Sequence, residues 1–352
     1  MKAKRVLSAL MAVSLFAAVG CGAKNQTQGG TSTPAAATAA ATSTPAAAKK
    51  TVKIGITQIV EHPSLDAARN GFIAALKDSG YIEKDNLDVD VQIAQGDMTT
   101  NTTIAQKFAG DKKDLVLAIS TPSAQAAAQA IKDAPILFTA ITDPVGAKLI
   151  TDPKKPGGNI TGVSDTHPDE VTKLMDFIAS DFPKVKTVGI VANEGEQNSL
   201  VNVKKAEEAL AKHNIKVVKA AVTNSSEVKQ AAESLVGKAD AIYITKDNTV
   251  VASFEAMVQV ADQNKLPLFV GDIDSVKRGG FATYGYEYYD IGYTTGKMAV
   301  DILKNGKKAS DIPVGFPEKL ELMLNMKAAQ SQGVEVTDNM KKQVTNPKNL
   351  LQ

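Results

Sequence analysis

From Thr51 onward, apolar stretches of strand length alternate with segments of helical periodicity, and this alternation narrows the available folds more than any other feature of the chain. Val52-Lys53-Ile54-Gly55-Ile56 has the near-continuous apolar character of a strand covered on both faces. A helix opening at Pro63 places Leu65, Ala68, Phe72 and Leu76 on one face before Gly80 ends it. Further strands are predicted at 87–93, 115–119, 136–140 and 160–163, separated by helices near 102–109, 123–132 and 144–149. After Pro183 the pattern starts again, with strands at 187–192, 216–221, 241–244 and 268–270 and helices at 198–213, 225–236 and 249–264. Parallel strands need cover on both faces and right-handed crossovers, so the two series predict an α/β chain with two doubly wound parallel-sheet lobes. Ligands of such sheets bind beyond the carboxyl ends of the strands, which makes the cleft between the lobes the expected site.

The first fifty residues follow a different logic. Lys2, Lys4 and Arg5 precede an apolar run from Val6 to Val19 and then Gly20-Cys21, the order of charged, apolar and cleavage regions in a secretory signal. The run is short of the ~20 residues that span a bilayer. Ala17-Ala18-Val19-Gly20-Cys21 resembles a bacterial lipobox, with Ala18 where leucine is usual, and the resemblance implies that Cys21 is lipidated and begins the mature chain. Residues 1–20 are therefore expected to be a signal peptide, and 21–50 a lipid-anchored flexible linker rich in Ala, Thr, Ser and Pro, which cannot bury enough apolar area to offset its ordering entropy. This places the protein outside the cytoplasm, held to the membrane by its lipid alone. Cys21 is the single cysteine, so neither a disulfide framework nor a cysteine-based metal site is expected. Setting aside Lys2, Lys4, Arg5, Lys24, Lys49 and Lys50 turns the formal charge of +2 into −4 for residues 51–352, which offers no broad basic surface to nucleic acid. No phosphate-binding loop, nucleophile elbow or nicotinamide fingerprint occurs, and no cofactor or catalytic residue is expected.

Several blocks occur in the order of one known family. Gly55-Ile-Thr-Gln-Ile-Val-Glu-His-Pro-Ser-Leu-Asp66, Gly71-Phe72, Ser120-Thr-Pro-Ser-Ala-Gln125, Thr142-Asp-Pro-Val-Gly146, Pro156-Gly-Gly-Asn-Ile-Thr-Gly162 and Tyr284-Gly-Tyr-Glu-Tyr-Tyr-Asp-Ile-Gly292 resemble the solute-binding lipoproteins of ABC importers related to the tryptophan-binding component. The resemblance covers nearly all of residues 51–325 and implies the type I periplasmic-binding-protein fold, with three hinge crossovers and a late return to the first lobe. On this reading the N-terminal lobe is 51–163 plus 286–307 and the C-terminal lobe 164–285 plus 308–352, with hinges near Val163 to Thr166, Tyr284 to Tyr286 and Gly306 to Pro313. It also implies a monomer that captures an amino acid, Trp, Tyr or Phe, by hinge closure and presents it to a permease with its ATPase.

Among the loops, Ser120-Thr121-Pro122-Ser123 is the most informative: hydroxyls and free N–H groups where a strand ends and a helix begins suit an anion, although an N-cap would explain one of them. Ala140 and Thr142 end the neighbouring strand and are expected to face the same cleft, while Thr57 and Gln58 end the first. Only three arginines occur in the chain, so a ligand carboxylate is expected on hydroxyls and amides rather than on a guanidinium. Across the cleft, Asp247, Asp272 or Asp274 is expected to pair with a ligand ammonium, capping being the alternative for Asp274 and a metal or hydrolytic dyad for Asp272 with Asp274. Asn193 occupies the equivalent strand end in the second lobe, as ligand contact or turn residue. His62 reads as a loop or capping histidine. Tyr284, Tyr286, Tyr288 and Tyr289 cluster near a hinge, where stacking on an aromatic ligand, with Tyr284 the candidate contact, is one reading and packing the alternative. A sugar or nucleoside receptor of the same fold, and a surface adhesion lipoprotein, are the rival functions.

Overall fold

The computed structural model describes residues 51–352; the expected signal peptide, linker and lipidation site at Cys21 lie outside the described residues. The first lobe carries a wholly parallel sheet of β1 (Val52–Gln58), β2 (Leu87–Ile93), β3 (Leu115–Ile119), β4 (Ile136–Ile141) and β5 (Ile160–Ser164), ordered β2-β1-β3-β4-β5. Helices α1 (Pro63–Asp78), α2 (Met98–Gly110) and α3 (Thr121–Ala130) connect its first four strands. All residues of β3, β4 and β5 are buried, as continuous apolar runs in a two-faced sheet require.

In the second lobe α4 (Glu170–Asp181), β6 (Thr187–Asn193), α5 (Gln197–Ala211), β7 (Lys216–Val222), α6 (Val228–Leu235), β8 (Ala241–Ile244), α7 (Asn248–Ala252), α8 (Phe254–Asn264), β9 (Leu268–Val270), α9 (Ile273–Lys277) and β10 (Ala282–Gly285) follow in turn. The chain then returns to the first lobe as α10 (Tyr288–Asn305) before closing the second with β11 (Glu321–Asn325), α11 (Met326–Ser331), α12 (Asp338–Gln343) and β12 (Leu350–Leu351). The second sheet is ordered β12-β11-β10-β9-β8-β6-β7 and is mixed, because β11 runs antiparallel to β10.

Glycines set the seat of α10 against α1. A Cβ on Gly292 would lie 1.9 Å from the Ala68 carbonyl oxygen, one on Gly71 2.1 Å from that of Tyr289, and one on Gly296 2.6 Å from the Ala75 Cβ. Only bare backbone permits this approach, so the two helices move as one body.

Three segments differ from the sequence expectation. Residues 144–149 form a turn in place of a helix, with Asp143 Oδ1 accepting from the Gly146 N–H at 2.8 Å. The helix expected at 249–264 breaks at Ser253 into α7 and α8. The third crossover lies beyond Gly306 to Pro313: the Val314 N–H still donates to Pro153 O and Gly315 pairs with Gly162 and Ser164, so the chain leaves the first lobe only at residues 316–320.

Candidate functional site

Where the carboxyl ends of the two sheets face each other, the lobes enclose a cavity of about 20 Å³. The first lobe contributes His62 and Ser64 from the start of α1, Ser120 after β3, and Ala140 and Thr142 at the end of β4. The second contributes Asn198, Lys246, Asp247, Asn248 and Asp272. Asp165 and Tyr288, each beside a crossover, complete the wall.

The first-lobe wall is built with strain. Ser120 has φ 79 and ψ 155, a region that side-chain-bearing residues almost never occupy, and Ala140 has φ 58. Both lie at adjacent strand ends on the cavity, where such conformations accompany function. Ser120 holds the N-cap position of α3, yet its side chain makes no capping bond. Pro122 has no N–H, and the Thr121 and Ser123 N–H groups of the first turn have no intrahelical acceptor at the positive end of the helix.

A polar network joins this wall to the hinge. Thr142 Oγ1 donates to Asp165 Oδ1 at 3.1 Å and Tyr288 OH donates to Asp165 Oδ2 at 2.7 Å. Lys246 Nζ donates to Glu170 Oε1 and to Tyr286 OH, each at 2.7 Å, and also to the Asp165 carbonyl, which accepts from Tyr286 OH as well. Burial alone would lower the Lys246 pKa, but the carboxylates of Asp165 and Glu170 outweigh it and hold the ammonium protonated. Burial raises Glu170 despite Lys246. His62 is pushed down by burial against the pull of Asp272, so it is neutral at pH 7.

The expected acidic residues divide. Asp247 lines the cavity, but its Oδ1 accepts from the Val250 N–H at the start of α7, and its Oδ2 from the Asn193 N–H and Ser199 Oγ. Burial, then the neighbouring Glu196, pushes its pKa up to about 7. Asp272 also lines the cavity and caps α9, taking the Ser275 N–H and Ser64 Oγ on Oδ1 and Ser275 Oγ on Oδ2. Asp274 is neither the cap nor part of the wall; it pairs with Lys277 at 3.0 Å.

Other expected residues sit elsewhere. Thr57 and Thr121 are buried with unpartnered hydroxyls but do not line the cavity. Gln58 braces Val60, Asp66 and Arg69 within the first lobe. Ser123 Oγ donates to Asn101 at 3.1 Å. Asn193 bonds Thr249 and lines a second, larger space of about 410 Å³ at the cleft mouth, which shares Asn248 with the inner cavity. Tyr284 packs edge-on to Phe177 at 6.4 Å, with its OH toward Gln343, on the α4 side of the second sheet. It is a packing residue, because side chains alternate along β10 and its turn falls toward α4. Sequence reasoning assigned no ligand contact to His62, Ser64, Asp165, Asn198, Lys246 or Asn248, all of which line the cavity.

Two buried cavity-lining atoms from opposite lobes, His62 Nδ1 and Asn198 Oδ1, have no protein partner. Glu170 offsets Lys246 and Asp247 is held near neutrality by burial, so Asp165 and Asp272 leave the wall with surplus negative charge. Such a wall suits a small molecule with a cationic group and several hydrogen-bonding groups. Among the described residues no acidic, histidine or cysteine cluster could hold a metal ion, and no helix is long and apolar enough to cross a membrane.

Comparison with known proteins agrees with this geometry. A family model described as ABC transporter substrate binding protein matches residues 53–348. A tyrosine-binding protein of Clostridioides difficile is 45% identical over 296 residues, covering 83% of this chain and 85% of the relative. A Streptococcus pneumoniae ABC domain solved in complex with L-Trp is 34% identical, with a TM-score of 0.79 over 84% of this chain and 99% of that one. The ligand-free, open structure of a Clostridium difficile substrate-binding protein with adhesive properties is 45% identical, yet its TM-score is 0.61 over 82% of this chain and 97% of that one. This chain therefore overlaps the L-Trp complex more fully than it overlaps the ligand-free, open structure, despite its higher identity to the latter.

Proposed function

The chain belongs to the ABC transporter substrate-binding protein family, whose members bind solutes and are not enzymes, and from that premise we propose that it captures an aromatic amino acid by hinge closure. The observation that carries the reading is a polar cavity walled by both lobes, with the strained, non-capping Ser120 at the start of α3 on one side and surplus carboxylate on the other. The ligand carboxylate is assigned to Ser120 and the first turn of α3. The ammonium is assigned to Asp165, whose oxygens are aimed by Thr142 and Tyr288, rather than to Asp247 or Asp272, whose oxygens already serve helix caps. An amino acid is larger than the inner cavity, so its side chain runs past Asn248 toward the space of about 410 Å³ at the mouth. The 45% identical tyrosine-binding relative and the L-Trp complex support an aromatic side chain.

In this reading the protein is exported, lipidated at Cys21 and tethered outside the cytoplasm, and delivers its solute as a monomer to a membrane permease and its ATPase. Calorimetric titration of the protein with the twenty amino acids is the test. Binding of L-Tyr, L-Trp or L-Phe, weakened roughly tenfold to a hundredfold by Asp165→Asn, is expected from the loss of a charged hydrogen-bond acceptor. Absence of binding by all three removes the assignment.

A further inference from the structure

We infer that Ser64 and Asp272, besides lining the cavity, form a latch that holds the lobes shut. Ser64 Oγ, on α1 of the first lobe, donates to Asp272 Oδ1, in the turn before α9 of the second, at 2.8 Å, and both residues are buried. The partner carboxylate is set before the lobes meet. Its Oδ1 also accepts from the Ser275 N–H at 2.8 Å and its Oδ2 from Ser275 Oγ at 2.7 Å, bonds that lie wholly within the second lobe and persist when the cleft opens.

The arm that delivers Ser64 is equally fixed. Pro63 opens α1, and Ser64 follows it at a position where its hydroxyl caps nothing in its own helix. Behind it, the Gly71, Gly292 and Gly296 contacts clamp α1 to α10, so the serine moves with the body of the first lobe. A rigid donor meeting a pre-aimed carboxylate gives up little conformational entropy, and the bond is charge-assisted and shielded from water. Its loss therefore acts on the rate at which the closed form reopens, because it forms only after the lobes have met.

The latch rests on the solute-receptor reading only for its kinetic test. Release of radiolabelled L-tyrosine from the full-length protein, chased with unlabelled ligand, is expected to be roughly 10- to 100-fold faster in Ser64→Ala. Ser275→Ala, which loosens the carboxylate from within its own lobe, is expected to give a smaller increase. A dissociation rate unchanged by Ser64→Ala overturns the latch. Should wild type bind no tyrosine, the solute assignment falls by itself, and X-ray scattering of the ligand-free proteins still decides: a larger radius of gyration in Ser64→Ala supports the latch, and superimposable profiles overturn it.

Discussion

Lys246→Met is the most informative single change to this protein. The lysine and Glu170 are an ion pair at 2.7 Å whose side chains are 8% and 5% exposed, so little solvent screens either group. Methionine keeps the length of the side chain and its contact with the Tyr286 ring, over which the ammonium now lies at 5.0 Å. It leaves Glu170 as a buried carboxylate without its cation and takes a donor from the Asp165 carbonyl. Breaking a buried pair from one side costs about 3–5 kcal/mol. With a urea slope of about 3 kcal/mol/M, the midpoint at pH 8 should fall by roughly 1–1.7 M.

The pH dependence of that loss carries its signature. Burial already raises the folded pKa of Glu170, and without the ammonium it rises further above the unfolded value near ~4.3. A carboxyl whose folded pKa is raised destabilises the protein when ionised, so the deficit is largest at pH 8 and shrinks as pH falls through the folded value. Adding Glu170→Gln to Lys246→Met should recover part of the loss at pH 8. Equal midpoints for wild type and Lys246→Met, or a deficit that is the same at pH 8 and pH 5, would refute the reasoning.

Three further outcomes follow from the same structure. Gly292→Ala places a methyl group 1.9 Å from the Ala68 carbonyl oxygen and should cost about 1–3 kcal/mol in thermal or urea unfolding, with no loss if α1 and α10 can part freely. Ser120→Gly relieves a backbone at φ 79 and should raise stability by about 1 kcal/mol while weakening solute binding; a lower melting temperature would show the residue is not strained. Asp247 is held at about 7 in the folded protein against ~3.9 unfolded, so its contribution to stability should increase as pH falls from 7 toward 4, by up to about 4 kcal/mol. His62 opposes this below about 6.5, since burial keeps it neutral only when folded, and a His62→Gln background isolates the Asp247 slope. A flat profile between pH 7.5 and 5 in that background counts against the buried-acid assignment.

Much of the architecture was legible in the sequence because parallel strands covered on both faces must be largely apolar: β3 and β8 are so throughout, and β4 is but for Thr139. The rule that sites gather beyond strand carboxyl ends brought Ser120, Ala140, Thr142, Asp247 and Asp272 to one cavity from both halves of the chain. Their roles were harder to read. Whether an aspartate caps a helix or faces a ligand depends on where its oxygens end up, and Asp272 turns inward to Ser275 while Asp274 turns to Lys277. Asp165 and Lys246 escaped notice because nothing in their neighbours shows that the fold brings a charged pair against the crossover and the Tyr288 phenol. Tyr284 misled because one step along β10 exchanges the faces of the sheet.

The late return of α10 fixes an order of assembly. A ribosome has made every strand of the first sheet by Ser164, yet the helix that clamps α1 is not synthesised until after β10. Until then the glycine-notched side of α1 has no mate, and the early half of the polypeptide cannot finish folding by itself. The two halves are thus obliged to mature together, so cutting the gene at the boundary between the sheets would yield two incomplete fragments rather than two working modules.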